Sequence, residues 1–372
     1  MKDHIKNLKI IHEPSDIYDT VQLSSEFKDT YALSPIYYTA KVNPQYDIQK
    51  SLKNKHIPIR NPFLYKVKDA QLFGNSNLIA TNGDELSLSG LVFNPNNSHK
   101  YFAGENDKFR VLQNGIVQVS YKKRLDFKNG FFLGGSDNFG HWLLNCVSRL
   151  NYLEFLDENI PIIIHDYMPQ RFIDCLSYFF DKNPIIKIPK QTLCIFENLY
   201  VGTTSWFVEN NSEFWWNNDS IVFLNKGFTN NKVKKENKKI FLSRKTSSWR
   251  KIVNEDIIFS QLKELNFENV NIENLSINDQ INLAFNSEII ISPLGASCLT
   301  YLFTDKGTKC ITLSPRIPSA MFLADLYCGP INSLHKFIYG DITAKDDIII
   351  NSDYYIDQNI DWAKLFNKIN VN

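Results

Sequence analysis

From Lys239 onward, short apolar runs and amphipathic runs alternate, and that alternation limits the fold more than any other feature of the 372-residue chain. Ile240-Phe241-Leu242, Ile289-Ile290-Ile291 and Cys310-Ile311-Thr312-Leu313 are too short for helices and nearly free of polar residues, as strands covered on both faces are. Between them, the stretches from Asn254 to Leu265 and from Ser276 to Phe285 have helical period. The second opens on Ser276 with Asp279 three residues on, a start like a capping box. Strands and helices in this order predict a doubly wound, Rossmann-like parallel sheet whose ligand sits at the carboxyl ends of the strands. The loop after Ser243 and the turn at Gly295 are the two positions that meet that rule.

The first half is more mixed. Residues 1 to about 60 are polar and carry Pro14, Pro35, Pro44 and Pro58, so an irregular arm is expected there. From about 60 to 133, short alternating runs are broken by Asn82-Gly83, Asn94-Pro95, Asn114-Gly115 and Asn129-Gly130. These predict antiparallel β hairpins, most clearly across Val111 to Val119. Ile160 to His165, Ile185 to Ile188 and Leu199 to Val201 then read as strands, with a helical pattern from Gln170 to Phe180 between the first two. The polar run from Thr229 to Lys238 reads as a linker. The expected division is an N-terminal domain over 1–225, a Rossmann-like domain over 226–350 and a C-terminal helix within 351–372, anchored by Trp362, Leu365 and Phe366.

Composition narrows the partners. With 41 basic and 40 acidic residues there is no excess of charge to drive general nucleic-acid binding. Six scattered cysteines form no CxxC pair or Cys/His cluster, so reduced thiols and no metal site are expected. No apolar run reaches the ~18 to 20 residues of a membrane span, and Met1-Lys2-Asp3-His4 opens a polar segment. A cytoplasmic protein is the expectation, with peripheral membrane attachment through Trp215-Trp216 or Lys232 to Lys239 as a further option.

Three places carry candidate chemistry. Ser243-Arg244-Lys245-Thr246-Ser247-Ser248-Trp249-Arg250-Lys251 holds four cations and four hydroxyls just after a parallel strand, which suits phosphate oxygens as well as it suits a solvated loop. Asn254 and Glu255 follow at a helix start. Gly295-Ala296-Ser297 brings a helix N-terminus and small side chains to a strand end, where an anion can approach. The third place is Gly134-Gly135-Ser136-Asp137-Asn138-Phe139-Gly140-His141, a glycine-rich turn with an N-cap expected at Ser136 or Asp137. In the helix expected beyond it, Asp137, His141, Asn145 and Arg149 recur every fourth residue and line one face. His141 has the titration range of a general base, with Asp137 as orienting group or alternative base; a structural histidine fits the same pattern.

Asn138-Phe139-Gly140-His141-Trp142-Leu143-Leu144 resembles a signature of the glycosyltransferase 61 family. The resemblance continues in order through Ile240 to Arg244, Arg250 to Glu255, Leu275 to Ile281 and Pro293 to Ala296, and covers about residues 70 to 340. It implies a GT-B architecture of two Rossmann-like domains facing across a cleft, the N-terminal one with added antiparallel hairpins. It also implies an inverting, metal-independent glycosyltransferase with no cofactor, acting on a nucleotide-sugar donor and an oligosaccharide or lipid-linked glycan acceptor. By the same resemblance Ser243, Arg244, Arg250, Asn254, Glu255, Gly295, Ala296 and Ser297 face the donor; Asn138, Asn145 and Arg149 face the acceptor beside His141 and Asp137. The expected role is synthesis of capsule, lipopolysaccharide or another surface polysaccharide from a UDP-sugar. Asn145 stands where relatives often carry an acid, and Leu294 where they often carry histidine or a small residue. A non-catalytic nucleotide- or glycan-binding protein on the same fold is therefore the alternative.

Overall fold

A computed structural model of the chain describes residues 4–11, 18–22, 30–32, 56–58, 63–74, 76–77, 79–80, 85–87, 109–111, 116–209, 213–315, 323–343 and 352–369. The turn signals Asn82-Gly83, Asn94-Pro95 and Asn114-Gly115 lie outside them, as do the side chains of Trp215 and Trp216. The protein is α/β and divides into two compact units, one of residues 1–29 and 58–224, the other of residues 30–57 and 225–372.

The sheet of the first unit is parallel at one end and mixed at the other. Ile185–Ile188, Ile162–His165, Lys123–Gly134 and Thr192–Gly202 lie side by side in that order, all parallel, and Phe63–Phe73 then adds antiparallel to Thr192–Gly202. Ile162 to Ile164 are wholly buried, as their apolar run requires. Two expectations are corrected here. The N-terminal stretch contains the strands His4–Ile11 and Tyr18–Gln22, both paired into this sheet. Asn129-Gly130 is no turn: both residues lie within Lys123–Gly134, paired with Asn198 and Leu199. Gly130 is needed for packing, since a Cβ there would stand 2.8 Å from side-chain carbons of Ile163 and Phe196.

In the second unit Glu268–Val270, Lys238–Leu242, Ser287–Pro293, Lys309–Pro315 and Leu334–Ile342 form a parallel sheet in that order, closed by antiparallel Tyr354–Tyr355. The helix Ile277–Phe285 starts as expected: Ser276 Oγ accepts from Asp279 N at 3.2 Å and donates to the Asp279 carboxylate at 2.6 Å. One core joins Phe241, Ile258, Leu262, Ile291, Ile311 and Ile338 to Trp362 and Phe366 of the terminal helix Trp362–Lys368. That helix is thus part of the second unit's packing.

Strand order reverses once in each parallel array. The chain leaves Lys123–Gly134 toward Ile162–His165 on one flank, while Thr192–Gly202 pairs on the other. It leaves Lys238–Leu242 toward Glu268–Val270, while Ser287–Pro293 pairs on the opposite side. The carboxyl ends at such reversals are left uncovered by the crossovers and are where ligands bind in open α/β sheets. They carry Gly134-Gly135 and Gly202 in the first unit, Ser243-Arg244 and Leu294-Gly295 in the second.

The first of these ends is held by a buried clamp. Asn77 Nδ2 donates to the Gly135 carbonyl at 2.8 Å, and Asn77 Oδ1 accepts from Gly135 N at 2.9 Å. His165 Nε2 lies 3.0 Å from the same oxygen. Gly134 has φ +89°, and a Cβ there would stand 2.7 Å from Asn77 Oδ1, so only glycine fits. Burial pulls the His165 imidazole down to about 4, with a Gly74 backbone hydrogen bond opposing it. In the unfolded chain a histidine takes up its proton near ~6.5, so between those two values the unfolded chain binds a proton that the folded one does not. Stability conferred by neutral His165 is therefore full above the unfolded pKa and is lost as pH falls toward the folded one, by roughly 3 kcal/mol at most. Thermal midpoints measured from about pH 7 down to 5 should fall, and less steeply in His165→Gln.

Candidate functional site

In the second unit the predicted donor residues meet at the strand reversal. Ser243 Oγ donates to Glu255 Oε1 at 2.5 Å, and Arg244 N donates to Glu255 Oε2 at 3.3 Å. Glu255 is the first residue of the helix Glu255–Lys263 and is buried, so its carboxylate fastens the loop to that helix start. The Arg244 guanidinium reaches the other strand end: Nη1 donates to the Leu294 carbonyl at 3.1 Å, and Nη2 to Ser247 Oγ at 2.7 Å and the Trp249 carbonyl at 3.2 Å. All three acceptors are neutral, and Nε has no partner among the described residues.

Gly295 is where it is because of Arg244. A Cβ on Gly295 would stand 1.6 Å from Nη1, and φ is +154°. The glycine thus admits a guanidinium into the turn at the start of the 3₁₀ helix Ala296–Phe303. Arg250 joins it: burial pushes the Tyr354 hydroxyl up, Arg244 and Arg250 pull it back and Glu255 pushes it up again, so two cations and one carboxylate act on the same hydroxyl. Arg250 itself holds the left-handed conformation, φ +56°.

Two further donor candidates also make structural bonds. Asn254 is tied at both ends of its amide, Nδ2 donating to the Ile356 carbonyl at 2.6 Å and Oδ1 accepting from Ile356 N at 3.1 Å. It staples the loop to the C-terminal segment. Ser297 is buried and donates to the Pro293 carbonyl at 3.0 Å. Ala296 is exposed beside it.

The His141 segment departs from the expected single helix. The helix proper is only Phe139–His141, capped by Asn138, whose side chain accepts from Gly140 N at 2.9 Å and His141 N at 3.3 Å. Neither Ser136 nor Asp137 is the cap, and Asp137 lies exposed before it. The backbone then widens into a π turn, Trp142–Cys146, and tightens into a 3₁₀ helix, Val147–Phe155. Asp137, His141, Asn145 and Arg149 consequently do not form one solvent-facing stripe: Asn145 and Arg149 are buried, and Arg149 Nη1 donates to the Leu133 carbonyl at 3.3 Å.

The π turn is built into its surroundings. The Leu144 carbonyl accepts from Ser148 Oγ at 2.7 Å, from Ser205 N at 3.1 Å and from Ser205 Oγ. Trp142 is fully buried and donates from Nε1 to the Phe172 carbonyl at 2.8 Å. Held this way, Asn145 Oδ1 lies 3.1 Å from His141 Nδ1. An amide oxygen facing Nδ1 accepts its proton, which leaves Nε2 with the lone pair. Burial lowers the His141 pKa, while the Asn145 bond and the charge of Asp137 raise it; the net direction is down. The ring is therefore neutral at neutral pH, with one basic nitrogen.

Residues that sequence reasoning passed over include Asn77, Ser205 and Tyr354. Asn77 is 58 positions from the glycine it clamps, and Ser205 is 61 from Leu144, so no local spacing could reveal either. Among the described residues no group of three or more His, Cys, Asp or Glu side chains is placed to hold a metal ion.

Residues 139–311 match the family model described as Glycosyltransferase 61. A search of curated proteins found no match. The matched segment begins at the helix that carries His141 and runs through Ser243, Arg244, Glu255 and Gly295. Over that segment the chain is similar to the glycosyltransferase 61 family, a family of glycosyltransferases.

Proposed function

We propose that the protein transfers a sugar from a nucleotide-diphosphate donor, UDP-linked, to a hydroxyl of a glycan acceptor with inversion at the anomeric carbon, on a GT-B architecture. The observation that carries this is the Arg244 guanidinium seated in the Gly295 turn at the strand reversal, bonded to neutral oxygens alone among the described residues. A guanidinium hydrogen-bonded to no carboxylate among the described residues suits a diphosphate, to which guanidinium groups bind through charge-assisted hydrogen bonds.

In the reaction the acceptor oxygen forms a bond to the anomeric carbon as the bond from that carbon to the diphosphate oxygen breaks, and the diphosphate leaves with the electron pair. Charge on the leaving group falls to Arg244 and Arg250, so no metal is required in this scheme. The hydroxyl proton passes to His141 Nε2, the nitrogen that the Asn145 contact leaves basic. Asp137 is the second candidate for that proton. Asn145 works as an orienting group in the place of an acid, which supports catalysis over the non-catalytic alternative. The proposed role is surface polysaccharide synthesis in the cytoplasm, with peripheral attachment at the inner membrane face; no helix among the described residues is long and apolar enough to cross a membrane.

Arg244→Ala removes charge-assisted contacts worth roughly 1.5 to 3 kcal/mol, so UDP affinity measured by calorimetry should drop about ten- to a hundredfold. Undiminished affinity would remove the phosphate assignment. His141→Ala should lower UDP-sugar turnover by about 10² to 10⁴ and leave UDP affinity unchanged. The base must be neutral, so kcat/KM should fall on the acid side with a midpoint below the ~6.5 of an ordinary histidine. Asn145→Asp places a carboxylate against the ring, favours the imidazolium and should move that midpoint to higher pH. A midpoint that stays put in Asn145→Asp counts against His141 as the base.

A further inference from the structure

Asn217, Asn218 and Ser220 together hold four buried side-chain atoms with no hydrogen-bond partner among the described residues: Asn217 Nδ2, Asn218 Nδ2, Asn218 Oδ1 and Ser220 Oγ. Asn217, Asn218 and Ser220 are 4%, 1% and 0% exposed. Each such atom is destabilising, and native proteins hold only a few per hundred residues, so a run of them within four positions is a concentration that folding alone disfavours. They occupy the first turn of the helix Asn218–Thr229, where Asn217 Oδ1 accepts from Ser220 N at 3.2 Å.

Their position in the first unit is specific. The strand Thr192–Gly202 ends beside Lys123–Gly134 at the strand reversal, and Thr203, Thr204 and Ser205 follow it, all buried. Thr203 Oγ1 lies 2.5 Å from the Tyr152 hydroxyl. A Cβ on Gly202 would stand 2.1 Å from the Tyr152 ring, so the glycine lets that ring close over the strand end. Ser205 bonds the Leu144 carbonyl of the π turn, and Asn217 N donates to the Ser205 carbonyl at 2.8 Å. The unpartnered cluster is therefore two backbone steps from the turn that orients His141.

The chemistry of the open atoms selects the ligand. Two are donors only, one is an acceptor only, and the serine hydroxyl is both. An anion would use the donors and strand the acceptor; a cation would do the reverse. Asp219, which after burial is among the charges that raise the Tyr152 hydroxyl, adds an acid nearby and disfavours a phosphate. A neutral group bearing several hydroxyls, each donor and acceptor at once, satisfies all four.

We propose that Asn217, Asn218 and Ser220 form a subsite for one hydroxyl-bearing ring of the acceptor saccharide. This rests on the glycosyltransfer assigned above, and the test separates the two. Wild type, Asn218→Leu and Ser220→Ala are compared for thermal midpoint without ligand, for saturation transfer from methyl glycosides of glucose, galactose, xylose and N-acetylglucosamine, and for UDP affinity. Wild type should bind at least one glycoside. Asn218→Leu, having lost two atoms left open in the free protein, should keep or raise its midpoint while binding that glycoside about tenfold or more weakly. Ser220→Ala should behave alike to a smaller degree. UDP affinity should not change. Absence of glycoside binding in wild type, or midpoints lowered by several degrees with glycoside binding intact, would overturn the subsite and identify the cluster as a structural one. Loss of UDP binding in wild type would instead fail the donor assignment.

Discussion

Reversal of strand order is the constraint from which the candidate site of each unit follows. Where two parallel neighbours send their crossovers in opposite directions, neither crossover covers the carboxyl edge between them, and backbone N–H groups and loop side chains converge on the gap. Lys238–Leu242 and Ser287–Pro293 create such a gap, and Arg244 from one strand end reaches the Leu294 carbonyl of the other. Lys123–Gly134 and Thr192–Gly202 create the second, and the polar side chains around it come from both strand ends. In each case a glycine marks the contact because something other than its own side chain must fill the space: a guanidinium at Gly295, an aromatic ring at Gly202.

Polar groups at these gaps are treated in two different ways. Asn77, Asn138, Asn254 and Glu255 are spent on backbone: they clamp a turn, cap a helix, staple a segment or fasten a loop. Because each accepts from or donates to backbone N–H and C=O groups, they set geometry. Arg244 Nε, Asn218 and Ser220 stand at the other extreme, buried with atoms still open among the described residues. The contrast separates residues that shape a site from residues that wait on an occupant more cleanly than sequence position does.

Much of the second unit was legible in the chain. Ile240, Ile290 and Ile311 announce parallel strands because both faces of each are covered, and Ser276 with Asp279 announces a helix start whose bonds are local. Ser243, Arg244 and Gly295 were legible as a group because strand ends are where such sheets act. The bonds of Asn254 to Ile356 were hidden for the opposite reason: the two residues are 102 positions apart. The first unit hid more. Asn129-Gly130 has the composition of a turn, yet its glycine answers to Ile163 and Phe196 from neighbouring strands. Periodicity of four assigned Asp137, His141, Asn145 and Arg149 to one face, but a π turn changes the angle per residue, and no pattern of side chains encodes where the backbone widens.

That widening has a cause in the fold and a consequence for chemistry. At the π turn the Leu144 carbonyl accepts from two serines, Ser148 and Ser205. Ser205 follows Thr192–Gly202, which pairs directly with Lys123–Gly134, so the sheet order brings it to the turn. With the turn open, Asn145 meets the ring of His141 from four residues on and takes the Nδ1 proton. An asparagine does this without adding charge, so the imidazole keeps the lowered pKa that burial gives it. A carboxylate in the same place would orient the ring equally well and make it a stronger base, at the cost of holding it protonated over more of the neutral range. Asn145 therefore trades basicity for a ring that is already deprotonated.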